Sequence, residues 1–186
     1  TSTNKGTITI NKGVGIKVTN GTFINSTNKD IVVNVNTNKS ADGKAIFVSG
    51  SNAIVENKGN VKVEKGNGIE VKSGTFNNSG NIVINKNSSL GNKDVYGIKS
   101  SANFNNTGII ENRDKILIDG GKFTNNAGGT VNNAGEVVIS GGTFNNVGGT
   151  VTNSGKVSIS GGKLISDEKG IITNNKNGII DITSSK

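Results

Sequence analysis

A 21-residue repeat constrains the fold of this chain more than any other feature of its sequence. The phrase Ile118-Asp-Gly-Gly-Lys-Phe123 recurs 21 residues later as Ile139-Ser-Gly-Gly-Thr-Phe144, and a third copy opens at Ile159-Ser-Gly-Gly-Lys-Leu164. Each copy contains short apolar pieces separated by Gly or Asn, and the apolar residues alternate within a piece, as in Val157-Ser-Ile159. This alternation is typical of a strand with one buried face. Because strands this short are not stable alone, the units are expected to stack on their neighbours.

The repeat predicts an all-β fold, a right-handed parallel β-helix of about eight coils with three short strands per coil. The copies can be aligned on the strand that follows an Asn-x-Gly turn. Each such strand has one central residue that points outward. Those centres are Thr9, Val32, Lys62, Val83, Leu117, Val138, Ser158 and Asp181. The residues on both sides of each centre are apolar, so we expect an inward pair in every coil. At ~4.8 Å per stacked strand the rod would be about 40 Å long.

Asparagine recurs five residues before most of these centres. This column contains Asn4, Asn57, Asn78, Asn112, Asn133 and Asn153, whereas Asn25 and Asn174 lie two places early. A second column is indicated by Asn125 and Asn146, with Asn106 as a candidate earlier member. Asn and Gly tolerate left-handed backbone angles, so the Asn-x-Gly pair can turn a tight corner. A buried amide repeated in every coil can also bond to the coils above and below, each bond contributing ~1 kcal/mol.

No compositional boundary divides the chain, so residues 1–186 are expected to form a single β-helix segment, with polar insertions at 34–43 and 85–94. Both insertions follow the same kind of strand and one short coil separates them, which predicts that they project from one corner within ~10 Å of each other. Insertions on one side of a solenoid often form its binding face. The alternative is length drift at a permissive turn. The longest coil, which begins at Ile82, also contains what looks like an extra strand around 104–106.

The insertions supply the candidate binding residues. These are Asn38, Lys39 and Asp42 in the first, Asn92, Lys93 and Asp94 in the second, and Tyr96 beside it. An aromatic ring with amides and charges is typical of a sugar or peptide pocket, although Tyr96 could instead pack in the core. A second candidate surface is an outward apolar stripe of Val32, Val83, Leu117 and Val138. Such a stripe is either a contact surface or ordinary β-propensity on an exposed sheet.

The composition argues against several classes of function. The chain has no Cys and no His, so disulfides, the commonest metal ligand and Ser-His-Asp chemistry are not available to it. No acidic residue recurs in register over adjacent coils, although Arg113 beside Asp114 could act as a lyase-type base. We therefore predict no enzyme, cofactor or metal site. The net charge of +8 is spread through the turns without an aromatic platform, so nucleic-acid binding is not predicted either.

Three phrases carry a family resemblance. They are Gly141-Gly-Thr-Phe-Asn-Asn146, Thr150-Val-Thr-Asn-Ser-Gly155 and Lys156-Val-Ser-Ile-Ser-Gly-Gly162. They resemble passenger repeats of large type V autotransporter adhesins, and the Lys/Asn/Ile-rich composition is most similar to the fusobacterial ones. The resemblance implies an extracellular position on the cell surface, with anchoring to the outer membrane through a C-terminal barrel outside this chain. It also implies attachment to a protein or glycan of host cells or other bacteria, but it assigns no binding residue.

The chain has no apolar run of membrane-spanning length, no signal peptide and no initiating Met, which is typical of a fragment of a longer protein. We accordingly expect a stiff stalk that presents side loops for attachment. One alternative is a pure spacer whose binding head lies elsewhere in the full protein, and a less favoured one is a polysaccharide-active β-helix enzyme. The sequence leaves self-association of the rod open.

Overall fold

The computed structural model describes residues 1–35, 44–86 and 94–183, and within these ranges the chain forms 22 strands and no helix. Every pairing between these strands is parallel. Each strand between the first and last coils pairs with the strand one coil before and one coil after it, so the chain winds as a solenoid of about eight coils with three strands per coil. The predicted parallel β-helix is confirmed.

The strands, numbered along the chain, lie on three faces. Face 1 consists of β2 (Ile8–Ile10), β5 (Asp30–Asn34), β7 (Asn60–Lys65), β9 (Asn81–Ile84), β12 (Ile109–Asn112), β15 (Thr130–Asn133), β18 (Thr150–Asn153) and β21 (Ile171–Asn174). Face 2 consists of β3 (Ile16–Val18), the first parts of β6 (Lys44–Asn57) and β8 (Asn67–Asn78), β10 (Ile98–Ser100), β13 (Lys115–Ile118), β16 (Glu136–Ile139), β19 (Lys156–Ile159) and β22 (Ile179–Ile182). Face 3 consists of β1 (Ser2–Asn4), β4 (Gly21–Asn25), the second parts of β6 and β8, β11 (Asn103–Asn106), β14 (Lys122–Asn126), β17 (Thr143–Val147) and β20 (Lys163–Ser166). Faces 2 and 3 form one 14-stranded sheet because β6 and β8 continue around the corner between them.

The core is a thin column of inward side chains. On face 2 nearly every strand contributes two buried aliphatic residues separated by one outward residue, as in Ile116 and Ile118, which are both fully buried. On face 3 most strands follow the pattern apolar–x–Asn, and five of the apolar residues are Phe. Four of the rings follow one another along the axis in the order Phe76, Phe104, Phe123 and Phe144, with centroid distances of 4.9, 4.6 and 5.0 Å; the first two pairs are stacked and the last is tilted by 32°. Each buried aromatic ring contributes roughly 2–3 kcal/mol through the apolar surface that it removes from water.

The strand register corrects the predicted column of strand centres at one step. Val83 on face 1 aligns with Glu111, not with Leu117, and Leu117 on face 2 aligns with Lys99. The first four predicted centres therefore lie on face 1 and the last four on face 2. The error arises because strands of both faces alternate apolar and outward residues, and alternation alone does not tell the faces apart.

The segment around 104–106 is not an extra strand. It is β11, the regular face 3 strand of its coil, and Phe104 aligns with Phe76 on one side and Phe123 on the other. The coil is long because residues are inserted before β10, and its described residues form three strands.

The asparagines form two ladders, and their membership differs from the predicted columns. The first ladder, on face 3, joins Asn4, Asn25, Asn57, Asn78, Asn106, Asn125 and Asn146. The second, on face 1, joins Asn112, Asn133, Asn153 and Asn174. In both ladders each Nδ2 except that of the last member donates to the Oδ1 of the asparagine in the next coil over 2.7 to 2.9 Å. Asn25 and Asn174 are therefore regular members, and the predicted single column combined residues of two different corners.

The corners keep the coils in register because they leave no room for side chains. A Cβ at Gly108 would overlap the carbonyl oxygen of Gly80, and one at Gly155 would overlap that of Gly135. The backbones of successive coils thus approach closely at these glycines, which allows the neighbouring asparagines to reach the next coil.

Candidate functional site

The two predicted insertions are rooted at the same corner of the solenoid. The first follows β5 and ends before β6, and the second follows β9 and ends before β10. Strands β5 and β9 both lie on face 1 with β7 between them, whereas β6 and β10 both pair with β8 on face 2. Most of both insertions falls outside the described residues, but their roots flank one coil that has no insertion.

A difference in coil length produces a cleft at this corner. The coils from Ile31 to Val61, from Val61 to Ile82 and from Ile82 to Ile110 are 30, 21 and 28 residues long. The short middle coil lies between two longer ones and forms the floor of a cleft of about 200 Å³. We call this the corner cleft, and it is lined by Lys44, Asn67, Ile69, Glu70, Asp94, Tyr96 and Lys99.

Three of the charged residues that line the corner cleft, Lys44, Glu70 and Lys99, form ion pairs. Lys44 Nζ lies 2.8 Å from Glu70 Oε2, and the two side chains are only 27% and 15% exposed. The same ammonium group lies 4.5 Å from the centroid of the Phe47 ring. Lys99 Nζ lies 3.4 Å from Asp119 Oδ2. Partial burial reduces solvent screening, so the Lys44–Glu70 pair is stronger than a fully exposed ion pair.

Tyr96 is held by its backbone at the edge of the corner cleft. Its N–H donates to Asn67 Oδ1 over 3.1 Å, and its carbonyl oxygen accepts a hydrogen bond from the N–H of Gly68 over 3.1 Å. Lys115 Nζ lies 5.4 Å from the ring centroid. Burial, followed by the negative charge of Asp94, raises the pKa of Tyr96 above the ordinary tyrosine value. The phenol therefore stays protonated at neutral pH and keeps a hydroxyl that can donate a hydrogen bond.

The structure brings two of the seven predicted binding residues together. Asp94 and Tyr96 both line the corner cleft, and Tyr96 is half-buried and not a member of the buried core. The other five predicted residues, Asn38, Lys39, Asp42, Asn92 and Lys93, lie outside the described residues. The sequence interpretation missed Lys44, Asn67, Glu70 and Lys99, which come from three different coils. The alternation of long, short and long coils was the signal that could have indicated them.

The four residues of the predicted apolar stripe do not form one continuous surface. Val83 lies on face 1 between Lys62 and Glu111, whereas Leu117 lies on face 2 beside Lys99. Val32 is also separated from Val83 by Lys62. Of the four stripe residues, only Leu117 and Val138 are aligned with each other in adjacent coils. The stripe was an artefact of combining two faces in one column.

A second, more open concave region of about 230 Å³ surrounds Arg113. It includes Glu111, whose Oε1 accepts a hydrogen bond from Asn132 Nδ2 over 2.7 Å. Across residues 1–35, 44–86 and 94–183, no three acidic side chains are clustered as a group that could hold a metal ion. The same ranges contain no helix with the length and apolar character to cross a membrane.

Comparison with known proteins gave no match to this chain among family models, curated proteins or solved structures. A functional conclusion therefore depends on the solenoid, the corner cleft and the sequence of the repeats.

Proposed function

We propose that this chain is a segment of a bacterial cell-surface autotransporter adhesin, in which a stiff solenoid holds attachment structures to one side. The observation that carries the proposal is the shared root of both insertions on an otherwise regular rod. A β-solenoid is compatible with a stalk-like structural role. Attachment to host cells or other bacteria is the finer part of the proposal.

Stiffness follows from the way that successive coils are joined. Each coil is hydrogen-bonded to the next through strands on all three faces, so bending requires many backbone hydrogen bonds to distort together. The asparagine ladders and the stack of four phenylalanine rings add continuous side-chain contacts along the axis. Such a stack transmits force along its length through nearest-neighbour contacts, as a stalk requires.

The placement of the insertions supports a role in attachment. They leave the rod at one corner, where described residues of the short coil and of its two neighbours line a recess. The partner in this proposal is a protein or a glycan on the surface of a host cell or another bacterium. The chain would lie outside the cell, anchored to the outer membrane by a barrel that is not part of it. The absence of Cys suits a chain that is exported unfolded and folds outside.

The main alternative is a pure spacer, with the binding head elsewhere in the full protein. For residues 116–166 the regularity of the coils favours a spacer. Consecutive coils there differ in length by at most one residue. A polysaccharide-active enzyme is the least favoured alternative. Measuring the turnover of a polysaccharide panel with and without Ca²⁺ would distinguish it from both.

The test is an adhesion assay with the 186-residue chain coupled to fluorescent beads. The beads are applied to bacterial and host cells, and a variant in which 34–43 and 85–94 are replaced by short turns is compared with the intact chain. A matched control replaces the turn at 175–177, which joins the same two faces far along the rod. Circular dichroism confirms that all variants keep their strand content.

Attachment that is lost on trimming and kept in the control supports the proposal. If the intact chain does not attach to any cell, the spacer alternative is correct. If trimming leaves attachment unchanged, the attachment surface lies elsewhere on the rod.

A further inference from the structure

We propose that the corner cleft binds one uncharged hexopyranose ring of a surface glycan. The inference rests on the proposed role in attachment and assigns a ligand class to it. It follows from the size of the cleft, from the pairing of its charges and from the aromatic ring at its edge.

The size of the corner cleft restricts the ligand to about one ring. Pockets for drug-sized molecules enclose about 300–1,000 Å³, whereas this cleft encloses about 200 Å³. Its floor is a single coil, and its two sides belong to the coils on either side of that one. Adjacent strands are ~4.8 Å apart, so the sides are about 10 Å apart along the axis. A single sugar ring fits this width, and the rest of a glycan chain would extend out of the open side.

The pairing of charges disfavours an ionic ligand. Glu70 is held by Lys44 at 2.8 Å, and Lys99 is held by Asp119 at 3.4 Å. An anion would be repelled by the carboxylate of each pair, and a cation by the ammonium group, unless it separated the pair. Since the Lys44–Glu70 pair is mostly buried, breaking it would leave a partly desolvated charge without a partner.

A polyol can bind without disturbing these ion pairs. Hydroxyl groups both donate and accept, so a sugar can donate to the free lone pairs of a paired carboxylate and accept from the remaining protons of a paired ammonium group. Hydrogen bonds to ionised groups are roughly twice as strong as bonds between neutral groups. The corner cleft offers Glu70 on the short coil, Lys44 on the coil before it, and Lys99 on the coil after it, aligned with Glu70.

Tyr96 adds an apolar surface and a hydroxyl at the edge of the corner cleft. The backbone hydrogen bonds to Asn67 and Gly68 fix its position, so little ordering is required when a ligand binds. Sugar rings have C–H groups on their faces that pack against aromatic rings, and the protonated phenol can donate to a ring substituent. Affinity for a single ring at a shallow site is expected in the low-millimolar range, about 1–10 mM. Many copies on one cell surface would raise the effective affinity through multivalency.

The experiment uses Tyr96 as a reporter. The chain has one Tyr and no Trp, so its tyrosine fluorescence comes from the edge of the corner cleft alone. The chain is titrated with methyl glycosides of glucose, galactose, mannose and N-acetylglucosamine, and with the charged analogues methyl glucuronide and glucosamine. Saturation-transfer NMR measures binding in variants that lack Tyr96.

At least one uncharged glycoside is expected to change the fluorescence saturably, with the charged analogues binding at least about 10-fold more weakly. Lys44→Ala, which breaks the ion pair in the cleft, is expected to weaken binding at least about 5-fold through the lost charge-assisted hydrogen bond. Lys62→Ala is the matched control, because it breaks an ion pair of the same 2.8 Å length with Asp30 on face 1. It should leave sugar binding unchanged, and Tyr96→Ala should abolish the saturation-transfer signal.

The inference is overturned if no uncharged glycoside binds, if a charged analogue binds more tightly, or if Lys62→Ala and Lys44→Ala have equal effects. Its failure can be separated from failure of the proposed function. Beads that attach to cells while no sugar binds in solution would leave attachment intact and indicate a protein partner. Sugar binding without attachment of the beads would support the cleft and contradict the role in adhesion.

Discussion

The asparagine ladder should be a major source of stability, and Asn106→Ala tests this at its centre. Asn106 is fully buried on face 3. Its Oδ1 accepts from Asn78 Nδ2 over 2.8 Å, and its Nδ2 donates to Asn125 Oδ1 over 2.8 Å. The same Nδ2 also lies 3.1 Å from the carbonyl oxygen of Gly108 and 3.3 Å from that of Thr130. The substitution therefore removes four contacts in an interior that water does not reach.

The size of the effect follows from these contacts. A buried hydrogen bond contributes about 1 kcal/mol net, and a buried group that loses its partner costs about 1–3 kcal/mol. The two bonds within the ladder are short, whereas the two to carbonyl oxygens share one amino group and are longer. We therefore expect Asn106→Ala to lower the free energy of unfolding by about 3–4 kcal/mol. For a chain of this size that corresponds to a fall in Tm of roughly 6–16 °C.

The neighbouring residue provides a matched control. Asn105 lies on the same strand but points outward, and its Nδ2 makes one hydrogen bond, to Asn77 Oδ1 over 2.9 Å. Asn105→Ala should cost less than about 1 kcal/mol. Urea denaturation, followed both by far-ultraviolet circular dichroism and by the fluorescence of Tyr96, measures the two variants side by side. If the two substitutions lower stability equally, the ladder does not have the energetic role assigned to it.

Three further predictions address the core, the corners and the cleft. Phe123→Ala should lower the free energy of unfolding by about 3–5 kcal/mol, because the ring packs against neighbours at 4.6 and 5.0 Å and its loss leaves a cavity. Equilibrium unfolding measures the change, and a loss smaller than that of a surface substitution would contradict the ring packing. Gly155→Ala should destabilise the chain, because the new Cβ would overlap the carbonyl oxygen of Gly135. Gly6→Ala is the control: its Cβ meets open space, so its effect on stability should be nearly neutral. Equal melting temperatures of the two variants would contradict the close approach of the coils. The absorbance of the single tyrosine should show that Tyr96 ionises above the ordinary tyrosine pKa in the folded chain, because burial disfavours the phenolate. The stability linked to this group is therefore present below the pKa of the unfolded chain and is lost as the pH rises through the pKa of the folded chain. A midpoint at or below the ordinary value would contradict the burial of the ring.

The sequence predicted the architecture because the same alternation recurs wherever a strand faces the core. Pairs such as Ile116 and Ile118 were placed inward correctly, and both are fully buried. The assignment of strands to faces failed between Val83 and Leu117, because strands of faces 1 and 2 share one pattern. An alignment on the Phe–x–Asn pattern of face 3, which no face 1 strand has, avoids this error. It joins Asn78 to Asn106 and Asn106 to Asn125 through separations of 28 and 19 residues.

The corner cleft was predictable only in part. Asp94 and Tyr96 attracted attention because a rare aromatic residue stands beside a polar insertion. Lys44 and Glu70 could not be associated with them from the sequence, since they lie in two other coils and meet only when the coils stack in the correct register. A one-coil error in alignment moves every outward residue to a different neighbour, so sites built across coils depend on the register more strongly than the core does.

The register of the coils is the central claim, and disulfide trapping tests it most directly. The natural chain has no Cys, so a pair of introduced cysteines reports on one contact without background. Val83 and Glu111 are aligned outward neighbours in adjacent face 1 strands, and the ~4.8 Å between such strands lies within the Cα separation of about 4.4–6.8 Å that disulfides require. Mild oxidation of the folded Val83→Cys/Glu111→Cys variant should therefore give a nearly complete intramolecular disulfide, detected by mass spectrometry. The Val83→Cys/Leu117→Cys variant should stay reduced, and the reverse outcome would contradict the assignment of strands to the three faces.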